Sequence, residues 1–338
     1  MKAHRNLLFL VIALLALFVA NLYWGAVHIP ARAVTDILLG KEAERASWGF
    51  ILWENRLPQA ITAVLSGAGL AAAGLLLQTA FRNPLAGPSI LGIDGGANLG
   101  VAIAILLLGG SFMAGAFSLS GFLLVIVAAM AGAWAIMVIL IMFSHVLRSN
   151  TMLLITGVMI GYLTSSAISL LNYGATEEGV RSFMVWGLGS FANVTVDRLP
   201  AFCLTMGFGI ACSLLLVKPL NALLLGESYA ANLGINVSRT RTLLLFTTGL
   251  LTATSTAFCG PIAFVGLAVP HIARLLLGTA NHRTLLPATL LTGACLTLLC
   301  NLISTLPSDS MIPINVITPV LGAPVVIGVL LRMRRTSM

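Results

Sequence analysis

The sequence predicts an all-α, polytopic membrane protein, and three observations carry that prediction. Apolar residues make up 59% of the 338 and charged residues only 8%, with a mean hydropathy of +1.03, a composition that belongs to a chain whose main solvent is not water. Apolar runs recur at membrane-crossing length, since a bilayer core of about 30 Å takes about 20 helical residues. Lys and Arg gather at alternate ends of those runs.

About ten crossings follow, near residues 7–27, 57–80, 90–109, 114–143, 152–173, 199–217, 242–259, 262–277, 284–304 and 312–331. The first begins just after Met1 to Arg5 and resembles a signal peptide, but it runs to about Val27 without a small-residue cleavage site, so it reads as a retained helix. Between the first two crossings, Pro30 starts a short interfacial helix over Val34, Ile37 and Leu38 that Gly40 ends. Residues 174–198 form a second large loop, where Phe183, Trp186, Leu188 and Phe191 among glycines indicate a short helix lying in or dipping into the membrane. Gly260 and Pro261 interrupt the seventh and eighth crossings. No linker separates independent parts, so 1–338 reads as one membrane domain.

The formal charge of +8 is a matter of orientation and gives no reason to expect nucleic acid. With the N-terminus cytoplasmic, 12 basic residues fall inside, from Lys2 and Arg5 to Arg82, Arg148, Lys218, Arg239, Arg241, Arg274, Arg283 and the Arg332, Arg334, Arg335 cluster. Six fall outside, including Arg56 and Arg181, among eight acids that include Asp309. That asymmetry satisfies the positive-inside rule for both termini in the cytoplasm. The five cysteines, Cys203, Cys212, Cys259, Cys295 and Cys300, show no ligand spacing and read as small hydrophobes.

The polar island at 218–241, KPLNALLLGESYAANLGINVSRTR, stands apart from this hydrocarbon. Its Leu220, Leu223, Leu224, Tyr229, Ala230 and Leu233 recur at helical spacing around a turn at Gly226, a pattern for two short helices lying on a protein or membrane surface. Within the membrane, the stretch 78–97, QTAFRNPLAGPSILGIDGGA, cannot continue a regular helix. Irregular backbone at that depth is tolerated where protein or a water-filled cavity satisfies it, and Asp94 and Asn98 would be costly facing lipid. This segment is therefore expected to border a pathway. On the fifth crossing Tyr162, Ser165, Ser166, Ser169 and Tyr173 form one polar stripe, which fits either a passage for a bulky polar solute or helix packing. Gly67, Gly69 and Gly74 are expected to permit close helix contact.

Catalytic signals are missing: the sequence has no GxxxxGK[ST], HExxH or GxSxG, and its five histidines are not grouped as ligands. His271 is expected to cap or pack near an inner helix end. A transporter without its own nucleotide site runs on an ion gradient or on a separate motor. The island favours the motor; an ion-coupled secondary transporter remains the alternative, with Asp94 as its candidate coupling carboxylate.

The chain resembles the permease subunits of bacterial ABC importers for iron-siderophore complexes, haem and vitamin B12. The pattern runs through Arg56-Leu57-Pro58, Gln78, Asn83-Pro84-Leu85-Ala86, Leu91-Gly92, Gly96-Ala97, Trp186-Gly187, Gly189-Ser190, Leu220-Asn221, Leu225-Gly226-Glu227, Leu233-Gly234, Gly260-Pro261-Ile262-Ala263-Phe264-Val265-Gly266-Leu267, Pro270-His271 and Gly322-Ala323-Pro324. The resemblance implies a type II ABC importer permease fold that dimerises around a central path in the bacterial inner membrane. A soluble or lipid-anchored binding protein would sit above and two ATPase subunits below, so that ATP and Mg belong to the partner and this chain binds no cofactor. It implies further that Leu225, Gly226, Glu227, Ala230, Leu233 and Gly234 couple to the ATPase, that Asn83 and Leu85 sit at the cytoplasmic gate, and that Arg56 meets the binding protein. Gly226 and Ala230 are expected to pack closely against the ATPase. The sequence departs from the family pattern at Gln59, Thr305, Met311, Asn315 and Asp94.

Overall fold

The computed structural model describes residues 2–42, 44–114, 117–147, 149–306 and 311–336; Arg148 and Asp309, counted in the charge balance, lie outside them. The described residues fold into α1 (Lys2–Tyr23), α2 (Ala31–Leu38), α3 (Ala46–Phe50), α4 (Leu57–Ala80), α5 (Ile93–Ala102), α6 (Gly121–Val146), α7 (Asn150–Gly174) and α8 (Glu177–Gly187). They continue with α9 (Leu199–Leu215), α10 (Val217–Leu225), α11 (Glu227–Asn232), α12 (Val237–Cys259), α13 (Val265–Leu277), α14 (His282–Ser304) and α15 (Ile314–Thr336). Six of the described helical segments are long and apolar enough to cross a membrane, α9 with α10 makes a seventh span bent by 46°, and shorter apolar helices cover 93–107, 265–277 and 314–329. Each of the ten segments expected from hydropathy coincides with one of these.

The fourth crossing starts later than expected. Strands β1 (Ser111–Ala114) and β2 (Phe117–Ser120) pair antiparallel, with Ser111 opposite Ser120 and Ala114 opposite Phe117, and the helix begins only at Gly121. Gly109 and Gly110 end the preceding helix at positive φ, and serines alternate with Phe117 and Leu119. An apolar average over such a short run does not separate strand from helix.

Burial separates the central helices from the rim. In their most apolar stretches, 83% of the residues of the α4 segment and of α12 are buried, against 17% for α1 and α7. α4 lies against α9, α12, α13 and α14, and its small residues set the spacing. A Cβ at Gly67 would overlap the Gly293 carbonyl of α14, and one at Gly74 would overlap the Gly266 carbonyl of α13. Backbones in this contact gain dispersion that lipid tails cannot replace. Thr297 Oγ1 of α14 crosses the same interface to donate to the Ala63 carbonyl at 2.7 Å. Nearer the N-terminal end of α4, Gln59 donates to Asn301 at 2.9 Å and Asn301 donates to Asn21 of α1 at 2.8 Å, a buried amide chain across three helices.

α2 starts directly after Pro30, which caps it with an extended ψ of 137°, and it lays Val34 and Ile37 onto Leu22 and Leu52. α8 runs from its Thr176 cap to Gly187 and buries Trp186; it carries Phe183 and Trp186 of the four aromatic and apolar positions, while Leu188 and Phe191 lie beyond its end.

Candidate functional site

α10 and α11 stand where the island predicts two short helices, and Gly226 turns the chain between them at φ +119°, a region glycine enters without strain. The apolar positions divide into two sets. Leu220, Leu223 and Ala230 are buried in one cluster with Leu76 of α4 and Leu244 of α12, whereas Leu224, Leu225, Tyr229 and Leu233 are 41–64% exposed. Ala230 corrects an expectation: it is fully buried inside the chain and presents no surface to an ATPase. Helical spacing marks apolar faces without saying which surface each one meets. Glu227 pairs with Arg241 of α12 at 2.7 Å, and the Arg82 guanidinium donates to the Leu223 carbonyl at 3.2 Å. Gly234, at φ +82°, follows α11. The exposed apolar side chains are thus held on a framework braced from α4 and α12.

The irregular stretch 81–92 leaves that end of α4 and climbs beside α13. At its foot, His271 Nε2 donates to the Pro84 carbonyl at 2.8 Å, and the Leu85 N–H donates to Asn83 Oδ1 at 2.9 Å. The Asn83 side chain closes a local turn, and Leu85 is left 36% exposed. Higher up, Pro88 rests on Gly266. Asp94, opening α5, accepts from Ser89 Oγ at 2.6 Å and from Thr256 Oγ1 at 3.0 Å. α5 therefore starts at membrane depth, which explains its shortness.

The break between α12 and α13 lies across from this stretch, and the two enclose a cavity of about 180 Å³ walled by Ser89, Asp94, Ala263 and Phe264. On the other side of the same Ser89 and Asp94 wall, a second cavity of about 520 Å³ is lined by Asp94, Asn98, Tyr162 and Ser165. The sequence makes these residues pathway candidates, with packing the other reading for Tyr162 and Ser165, and the structure brings all four to one cavity. Ser166 and Ser169 lie off it; Ser169 Oγ donates to the Ser165 carbonyl at 3.0 Å, as a serine bonding its own helix does. Facing breaks in two helices at depth are a way for membrane proteins to place polar groups around a solute.

The opposite end of the bundle uses its polar groups differently. Arg56, expected as a docking cation, is 5% exposed, and its guanidinium donates to the carbonyls of Leu22, Tyr23 and Val27. It satisfies two carbonyls that helix α1 leaves unpaired where it ends, Leu22 and Tyr23, and a third in the loop beyond, Val27, which corrects the docking assignment. Gln59 belongs to the buried amide chain. Asn315 takes part in three hydrogen bonds: Oδ1 accepts from the Ala263 N–H, Nδ2 donates to the Gly187 carbonyl, and its own N–H donates to the Leu188 carbonyl. It ties the end of α8, the α12/α13 break and the start of α15 together. Sequence reasoning missed this role, although a lone amide opening an apolar helix was its signal.

Helices broken at depth around cavities, together with a braced surface island, define a membrane transport permease. The sequence profile of the FecCD transport family matches residues 13–332. The vitamin B12 import system permease proteins BtuC of Citrobacter koseri and of Salmonella typhi are each 37% identical over 287 residues, 84% of this chain and 84% of theirs. A solved structure described as an inward-facing conformation of a metal-chelate type ABC transporter superposes with a TM-score of 0.84 at 32% identity, over 97% of this chain and 99% of that one. The chain belongs to the FecCD transport family. It is a multi-pass inner-membrane permease subunit of an ABC importer and has no catalytic activity of its own; an ATPase and a substrate-binding protein complete such a system.

Proposed function

We propose that this permease carries a bulky metal-chelate nutrient, an iron-siderophore, haem or cobalamin, into the cytoplasm. It does so as a homodimer with two ATPase subunits below, which hold the ATP and Mg, and a soluble or lipid-anchored binding protein above. Both termini face the cytoplasm in this reading, so the α10/α11 end is the inner end. The observation that carries it is the island, where exposed Leu225, Tyr229 and Leu233 sit on helices braced from within. The path follows the two helix breaks, with Asp94, Asn98, Tyr162 and Ser165 along it and the Asn83–Leu85 turn as the inner gate. α7, mostly unburied in the single chain and bearing that polar stripe, is the candidate dimer face.

The test is uptake into proteoliposomes containing the permease, its ATPase and its binding protein, with labelled cyanocobalamin and a labelled ferric siderophore as probes. Uptake of one of them that stops without ATP is the expected result. Uptake that ignores ATP and collapses with an ionophore identifies an ion-coupled carrier instead. Leu85→Ala and Asn83→Ala should raise ATP-independent efflux of the accepted probe; unchanged efflux in both removes the gate assignment.

A further inference from the structure

The apolar contacts of α10 would let it slide over α4, because dispersion and hydrophobic burial are not directional. Hydrogen bonds fix its position. Asn221, midway along α10, accepts from the His282 N–H at 2.8 Å through Oδ1, which also lies 3.0 Å from His282 Nδ1. Its Nδ2 donates at 3.0 Å to Oδ1 of Asn281, the residue that caps α14. On the other side of the imidazole, His282 Nε2 is 2.9 Å from Thr79 Oγ1 in the last turn of α4. A neutral ring that donates from Nδ1 to Asn221 and accepts at Nε2 from the Thr79 hydroxyl, whose one proton is shared with the Leu75 carbonyl 2.9 Å away, satisfies both neighbours. His282 and Thr79 are 1% and 4% exposed, so water does not compete and the geometry is enforced strongly.

We propose that Asn221, His282 and Thr79 form a latch that hands movement of α10 and α11 to α4 and α14, with His282 as the positioning residue for ATP-driven opening. This rests on the reading that the island seats on an ATPase. Three features support it. The imidazole reaches α10 and α4 from opposite ring nitrogens while its own backbone begins α14, so one side chain joins three helices. Thr79 stands four residues before Asn83, so a pull on it acts at the root of the turn that carries Leu85. Arg82 adds a parallel link from the same corner to the Leu223 carbonyl. Asn221 draws on the cap of α14, so displacement of α10 cannot leave α14 behind without breaking these three hydrogen bonds.

The experiment uses the complete complex in liposomes and needs no identified substrate. Leu85→Cys is introduced, and its modification by a membrane-permeant maleimide is read at that position by mass spectrometry, with and without ATP and vanadate. In the otherwise wild-type complex the modification rate should change several-fold with nucleotide. His282→Ala, Asn221→Ala and the shape-conserving Thr79→Val should each retain the ATPase on copurification and continue to hydrolyse ATP, yet shrink that nucleotide-dependent change at least threefold. His282→Gln, which can span part of the gap, should recover some of it. Variants that shed the ATPase would show a role confined to building the surface, and variants with an undiminished response would show no role in transmission; either overturns the latch. An otherwise wild-type complex whose position 85 ignores nucleotide overturns the reading beneath it, in which the island seats on an ATPase that moves the Asn83–Leu85 turn.

Discussion

The two ends of the bundle spend the same kind of residue on opposite purposes. At the island end, Arg82, Arg241 and His282 reach from the bundle to hold two short helices whose apolar side chains Leu225, Tyr229 and Leu233 stay exposed. At the other end, Arg56, Gln59 and Asn315 turn inward and are consumed by the carbonyls and amides of their own chain. The first arrangement presents a surface and the second closes a frame. Near the surface of the second end, Asp36 is engaged locally as well: the hydrogen bond from Lys41, 2.7 Å long, holds its carboxyl below the usual range.

The sharpest way to break this contrast is to truncate the matched cations. Arg56→Ala leaves three carbonyls at and just beyond the end of α1 without their donor, and should cost about 3 kcal/mol or more, read as a lower midpoint of thermal unfolding in detergent. Arg241→Ala removes a partly exposed pair and should cost about 1 kcal/mol or less. Equal losses would erase the distinction. Next in size, a Leu225→Ala, Tyr229→Ala double variant should leave the unfolding midpoint near wild type while weakening ATPase association by about tenfold, equivalent to about 1.4 kcal/mol; unaltered association in a pull-down titration would remove the exposed face from the interface.

Asn315→Ala should come third, costing about 1–2 kcal/mol, because the backbone amide of Ala263 and carbonyl of Gly187 lose their side-chain partner. Limited proteolysis should then cut between α8 and α9 faster than in wild type. The smallest effect concerns salt. With Arg56 enclosed, docking of the binding protein should change little between low and physiological ionic strength, since exposed pairs contribute about 0–1 kcal/mol and are screened. A steep salt dependence would mean that other cations at this end have taken over.

How much of this could be read beforehand depended on the kind of signal. The crossings and the turn at Gly226 were legible because hydropathy and glycine act locally. The breaks at 81–92 and 260–264 were legible because proline and glycine announce them; Asp94 and Asn98 stood out by the cost of polar atoms in lipid and Tyr162 and Ser165 by helical spacing, and all four line one cavity. Ala230 and Arg56 were misread for a common reason: an apolar face or a cation at a helix end carries no mark of whether its partner is another molecule or the chain itself. His282 stayed silent because its partners lie 61 and 203 residues away in sequence. The hairpin at 111–120 was hidden inside an apolar average.

The amide chain from Asn21 to Asn301 and Gln59 bears on how this protein is made. Asn21 enters the bilayer with the first helix, yet its partners outside its own helix, the Leu298 carbonyl and Asn301, are synthesised some 280 residues later. Gln59 arrives early and waits for the same residue. Throughout most of translation Asn21 therefore has only the Leu17 carbonyl of its own helix and Gln59 lacks Asn301, so both amides are incompletely satisfied until α14 is made. Closure comes when α14 settles between α1 and α4, so a helix made near the end of the chain completes the hydrogen bonds that α1 and α4 began.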